Sequence, residues 1–201
     1  MKAEKIRMPV IDPLRYMVFL EGGVVALLAT ALARYGSDEP STSQLQFWDG
    51  FAKLCELQLS SSGPRSVEIE KYRIDLLAVW DNWAIMLEAK MKREHVRRNQ
   101  LQRYYKALQA RLRDTEELAG VSSIAVIFLT PPDVGEEEYP SLLLDDNDTK
   151  KHLYWEEVLS LIDSSFSMSQ PSRSEEIESF RYSLISLGAG QVRRMLKHER
   201  L

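Results

Sequence analysis

Two runs of mostly apolar residues flank Asp81-Asn82, and together they define the most informative element of the chain. Residues 72–80 and 83–91 read as two β-strands. The two residues between them tolerate positive φ and suit a tight hairpin. A two-residue loop fixes the pairing, so Trp80 faces Trp83, Leu77 faces Met86 and Asp75 faces Glu88. Ile74, Leu76, Ala78 and Trp80 then share one wholly apolar face with Trp83, Ile85, Leu87 and Ala89. The other face carries Leu77, Val79, Ala84 and Met86, and at its far end Asp75, Glu88, Arg73 and Lys90.

Around the hairpin the spacing of apolar positions predicts further elements. Asp12-Pro13 suits an N-cap and first turn, opening a helix over 14–35. A second helix covers 44–59, with Leu45, Trp48, Phe51, Ala52, Cys55 and Leu59 at helical spacing. A short edge strand is expected at 67–70. After the hairpin comes a helix over 94–118, whose buried stripe is Leu101, Leu108 and Leu112 with Tyr104 or Tyr105. Gly120 closes it, and 121–130 is a buried strand. An acidic loop over 131–148 includes a short strand at 142–144, and a last strand at 152–155 leads into a helix over 155–164. A Ser/Pro-rich connector at 164–174 precedes helices at 175–187 and 191–201, separated by Gly188-Ala189-Gly190. Strands interleaved with helices in this way predict an α/β fold, with a central mixed sheet flanked by helices and a helical C-terminal extension.

The 201 residues suit one ordinary domain over 1–165, with 166–201 as connector and extension. Apolar content of 44% and charged content of 28% argue against wholesale disorder. The single Cys55 excludes an intrachain disulfide and a thiolate metal cluster. The longest apolar runs are too short to span a bilayer, and the first residues lack a signal-peptide hydrophobic segment, so a cytoplasmic location is expected. Net charge is −4, yet nine basic residues fall between Lys90 and Arg113, with Glu94 the one acidic residue among them. Such a local basic field is what a phosphate-binding face needs.

Asp75 and Glu88 raise the question of chemistry. Their Cβ atoms are expected about 4.5–5.5 Å apart across the hairpin, and opposed like charges destabilise it unless a shared proton or a cation neutralises them. A hard divalent cation such as Mg²⁺ takes one or two carboxylates and keeps several waters. Lys90 places an ammonium beside the pair, where it could orient a water or stabilise negative charge.

Asp75, twelve intervening residues and then Glu88-Ala89-Lys90 resemble the Asp…Glu-x-Lys signature of the PD-(D/E)XK nuclease superfamily. The segment Gln100-Leu101-Gln102-Arg103-Tyr104 is similar to the Gln-x-x-x-Tyr helix of one branch of that superfamily. Residues 121–130 and 152–162 resemble the core strand and the later strand–helix with a Trp at its junction. The likeness spans roughly residues 15–165 in element order, and Ile74 stands where the family name has Pro. It implies a restriction-endonuclease-like core and a Mg²⁺-dependent nuclease, with Mn²⁺ as a substitute, that hydrolyses phosphodiester bonds of nucleic acid. DNA is the favoured substrate. Asp75, Glu88 and the first-helix Glu21 would hold the metal, with Glu56 a weaker rival to Glu21. Lys90 would position or activate water.

Spacing alone reads Gln100 as a surface residue and Tyr104 as a core one; the resemblance brings Gln100 to the site. Lys92, Arg93, Arg97, Arg98, Arg103 and Tyr104 become candidate nucleic-acid contacts, although a solvated helix face is the default for such a run. Specificity would come from loops, a second subunit or a partner protein. The alternative is a catalytically inactive module of the same fold that binds nucleic acid or a protein. A plain structural domain with an accidental Asp75–Glu88 pair is a third reading.

Overall fold

The computed structural model describes residues 42–69, 71–90, 99–132 and 142–165. The expected helices at 14–35, 175–187 and 191–201 lie outside the described residues.

The first described helix, α1, spans Thr42–Cys55 and buries Phe47, Trp48, Phe51 and Cys55 along one stripe. It ends in a Schellman turn: Leu57 N–H donates to the Ala52 carbonyl at 2.8 Å and Glu56 N–H to that of Lys53 at 3.2 Å. Glu56 takes the left-handed position, at φ 60°. Burial pushes the Cys55 thiol up to about 12, the behaviour of a small core residue rather than a reactive one.

Five strands form one sheet in the order β1-β2-β3-β4-β5: Ser66–Ile69, Leu76–Val79, Trp83–Ala89, Ser123–Thr130 and Thr149–Tyr154. The β1–β2 and β2–β3 pairs are antiparallel, and the β3–β4 and β4–β5 pairs are parallel. The parallel connection from β3 to β4 runs through helix α2, Gln100–Leu112, and a short 3₁₀ turn at Glu116–Leu118. The last helix, α3, is Trp155–Ser165.

Helices cover both faces of the sheet, which is why β3 and β4 are apolar almost throughout. On one side α1 and α3 pack over Leu76, Ala78, Trp80, Ile85, Leu87 and Ala89. Trp48 meets Trp80 edge to face, with centroids 5.1 Å apart. Gly50 allows α1 to approach α3: a Cβ there would lie 2.3 Å from Leu161 Cδ1. On the other side Leu101, Tyr105 and Leu108 of α2 pack on Leu77, Val79, Met86 and Val126. Among the described residues, no helix is long and apolar enough to cross a membrane.

The hairpin has the register that its two-residue loop dictates, with Leu77 opposite Met86 and Leu76 opposite Leu87. Its turn is held from outside, since Ser122 and Ser123 N–H groups donate to the Asn82 carbonyl at 3.0 and 3.2 Å. Gly120 is required there: its φ is +87° and a Cβ would sit 2.9 Å from the Asp81 carbonyl oxygen.

The start of the hairpin departs from the expected strand over 72–80. Residues Lys71–Arg73 form a 3₁₀ turn in which Tyr72 and Arg73 both have left-handed φ, 57° and 69°. Two such residues in succession break the pleat, so β2 begins at Leu76. Alternation is lost across the break, and Ile74 joins the core under α2 instead of the core under α1 and α3. Residues 142–144 form no strand either; that segment is held by side chains of α2. Gln102 donates to the Leu143 carbonyl at 3.1 Å and accepts from the Leu143 N–H at 2.8 Å.

Candidate functional site

The site forms where the β2–β3 hairpin ends and α2 begins. Asp75 lies one register step beyond the Leu76–Leu87 pair, beside Glu88 and Ala89. Its Oδ2 accepts the Ala89 N–H at 2.8 Å, so a side chain replaces the ladder bond that the broken strand does not make. The turn that delivers Asp75 is secured by cations. Lys71 is ion-paired at 2.9 Å with both Glu117 and Glu68, which together push its pKa above the ordinary lysine value. Arg111 of α2 stacks over the Tyr72 ring, 4.5 Å from its centroid.

Glu88 and Lys90 are 2% and 5% exposed. Lys90 Nζ donates to Glu88 Oε1 at 2.6 Å and to the Ala89 carbonyl at 2.8 Å. Gln100, the first residue of α2, donates from Nε2 to the same Glu88 oxygen at 2.6 Å and to the Tyr104 hydroxyl at 3.1 Å. One carboxylate oxygen therefore takes an ammonium and an amide N–H, two donors that stabilise it as an anion in a poorly solvated place.

The Lys90 backbone is fixed on both sides. Its N–H donates to the Leu129 carbonyl at 2.8 Å, and its own carbonyl accepts the Trp155 indole N–H at 3.0 Å. Farther along the same sheet row, Glu88 pairs with Phe128 and Phe128 with His152. His152 Nε2 and Thr130 Oγ1 are 2.7 Å apart, a polar pair on the two strands beyond the carboxylate's own.

Of the residues singled out from the sequence, Asp75, Glu88, Lys90, Gln100 and Tyr104 are brought together. Arg103 is exposed on α2. Glu21, Lys92, Arg93, Arg97 and Arg98 lie outside the described residues. Glu56, the rival acidic residue, is ion-paired with Lys151 at the end of α1. Gln100 is not the free surface residue that spacing alone suggests, because the start of α2 places it against Glu88. The sequence pattern pointed to no site role for Trp155, Thr130 or His152. No local spacing could relate them to Glu88, because their contacts run across the sheet.

The residues present fit a hard divalent cation in one respect. Asp75 and Glu88 supply the one or two carboxylates that Mg²⁺ uses when it keeps waters of its own. Among the described residues, no group of three His, Cys, Asp or Glu side chains converges to hold a metal. Among the described residues, the two carboxylates are thus the share offered to such a site, and the Lys90 ammonium bonds one Glu88 oxygen.

No family model, curated protein or solved structure matches the chain.

Proposed function

We propose that the chain is a metal-dependent nuclease with a restriction-endonuclease-like core of the PD-(D/E)XK type, hydrolysing phosphodiester bonds of nucleic acid, with DNA as the favoured substrate. The observation that carries this reading is the convergence of Asp75, Glu88, Lys90 and Gln100, with Lys90 and Gln100 both at 2.6 Å from one Glu88 oxygen. A buried ion pair adds little net stability over an apolar replacement, so such a cluster is a poor structural device and a good chemical one. The mixed sheet with helices on both faces is compatible with that core.

Asp75 and Glu88 hold Mg²⁺ or Mn²⁺ in this reading, with Glu21 as a third carboxylate. The ion would supply neutralisation of phosphoryl charge and a water of lowered pKa. Gln100 fixes the Glu88 carboxylate. Lys90 carries a positive charge at the carboxylate, where it orients the attacking water and offsets negative charge as the phosphate is attacked in line. Lys92, Arg93, Arg97, Arg98, Arg103 and Tyr104 contact the substrate backbone. Specificity comes from the loops, a second subunit or a partner protein.

The test is cleavage of plasmid, linear duplex, single-stranded DNA and RNA with Mg²⁺, Mn²⁺ or EDTA, beside the Lys90→Ala variant. Metal-dependent cutting that disappears in the variant is the expected result. A second reading, an inactive module of the same fold, is favoured by one observation: the Glu88 oxygen already has two donors within the protein. Folded protein that cuts nothing, and whose Mg²⁺ titration is the same with Asp75→Asn, would support that module instead.

A further inference from the structure

Lys90 is the first residue after β3, and the ends of strands are where side chains have most freedom to wander. Two contacts from distant parts of the chain remove that freedom. The Leu129 carbonyl takes the Lys90 N–H at 2.8 Å, continuing the parallel ladder one residue past β3. The Trp155 indole N–H takes the Lys90 carbonyl at 3.0 Å, from the first residue of α3. Trp155 is 0% exposed, and its ring lies in the core formed with α1, so the donor cannot shift without repacking that core. A backbone held at both its N–H and its carbonyl fixes the direction of the Cα–Cβ bond, and with it the reach of Nζ to Glu88 Oε1.

We infer that Trp155 is a positioning residue: its indole N–H, bonded to the Lys90 carbonyl, holds the Lys90 ammonium in register with the Glu88 carboxylate. This rests on the nuclease reading for its catalytic consequence, but the coupling of Trp155 to Lys90 does not. Trp155 is buried in the core, so its reach to the site is through Lys90. A side chain that served packing alone would need the ring and not the N–H. An N–H that aims the site needs the donor as well.

The experiment uses the full chain with Trp155→Phe, which keeps an aromatic ring and removes the donor. A second form carries the benzothienyl analogue of tryptophan at position 155, equal in shape with sulfur in place of N–H; it keeps the test open if the phenylalanine variant does not fold. Two readouts are taken well below the melting temperature. The first is kcat and KM for metal-dependent cleavage. The second is the ε-¹³C resonance of Lys90 in lysine-labelled protein, which needs no activity. The expected result is a fall in kcat of about tenfold or more, equivalent to about 1.4 kcal/mol. KM changes little, and the Lys90 resonance moves in both forms. An unchanged Lys90 resonance in the benzothienyl form overturns the inference, whatever the activity. Wild-type protein that cuts nothing overturns the nuclease reading, while the resonance still decides the role of Trp155.

Discussion

Lys90 and Glu88 meet at 2.6 Å with side chains 6% and 2% exposed, so neither charge can turn to bulk water for solvation. Removing one partner from such a pair leaves the other buried and uncompensated, at a cost of about 3–5 kcal/mol. Lys90→Ala should therefore lower stability by roughly that amount at neutral pH, and more than the loss of an exposed lysine would. On the nuclease reading the same variant also removes the ammonium that competes with Mg²⁺ for the Glu88 carboxylate. Mg²⁺ should then raise the melting temperature of Lys90→Ala more than that of the wild type, although the variant cuts nothing. Scanning calorimetry of both proteins in Mg²⁺ and in EDTA checks this. Equal Mg²⁺ shifts in the two proteins would count against Glu88 as a ligand. Asp75→Asn separates fold from chemistry at the neighbouring carboxylate. The amide oxygen can still accept the Ala89 N–H that Asp75 accepts at 2.8 Å, so stability should change by less than about 1 kcal/mol while cutting is lost.

At the scale of elements, α2 has two jobs at its two sides. Gln100 holds Glu88, and Gln102, Tyr105 and Gln109 hold the loop before β5. Tyr105 is 1% exposed, donates from its hydroxyl to Asp148 and accepts the Asp145 N–H at 2.9 Å and Gln109 Nε2 at 2.6 Å. Tyr105→Phe leaves those groups without it and should lower stability by about 1–3 kcal/mol in urea unfolding. Burial first, then the Asp148 bond, pushes the phenol up from 10.0 to about 12. A folded-state pKa raised in this way gives stability that is whole below the unfolded value. It is lost as pH climbs from about 10 through about 12. Wild type should lose that increment in alkali and the phenylalanine variant should not; parallel pH profiles would refute the role. Gly50→Ala tests α1 against α3. Its new Cβ would fall 2.3 Å from Leu161 Cδ1, so the helices must separate or Leu161 must change rotamer, for about 1–3 kcal/mol of lost stability.

Much of this level was legible in the sequence. The hairpin register followed from a two-residue turn, and the helical stripes of α1 and α2 followed from apolar spacing. The break at Tyr72–Arg73 was not legible, because neither residue favours left-handed φ. That conformation is imposed from outside, by Lys71 between Glu68 and Glu117 and by Arg111 on the Tyr72 ring. Ile74 was consequently assigned to the wrong core. The same limit applies to the site: Asp75, Glu88 and Lys90 are near in sequence and could be grouped by spacing, whereas Trp155 meets Lys90 across 65 positions.

For the whole molecule, charge is divided rather than balanced. Net charge is −4, yet the run from Lys90 to Arg113 is basic, and α2 sets Arg103 and Lys106 in solvent. Lys90 and Arg111 are withdrawn from that field, one into the carboxylate cluster and the other onto Tyr72. If the remaining cations meet a phosphate backbone, log affinity for duplex DNA should fall linearly with log salt, by about 0.9 per phosphate neutralised. Arg103→Ala should flatten that slope by up to about one unit and leave kcat unchanged. Fluorescence anisotropy over a salt series measures it, and a slope near zero would remove DNA from the list of ligands.

The carbonyl clamp on Lys90 also has a place in time. A chain leaves the ribosome from its N-terminus at about 5–20 residues per second. Asp75, Glu88 and Lys90 emerge nearly together, but the indole that aims Lys90 follows 65 positions later, roughly 3–13 s behind at that pace. On the nuclease reading, the Lys90 ammonium is thus unaimed until Trp155 has emerged. A fragment that stops before Trp155 would carry both carboxylates and lack the indole N–H that holds the Lys90 carbonyl.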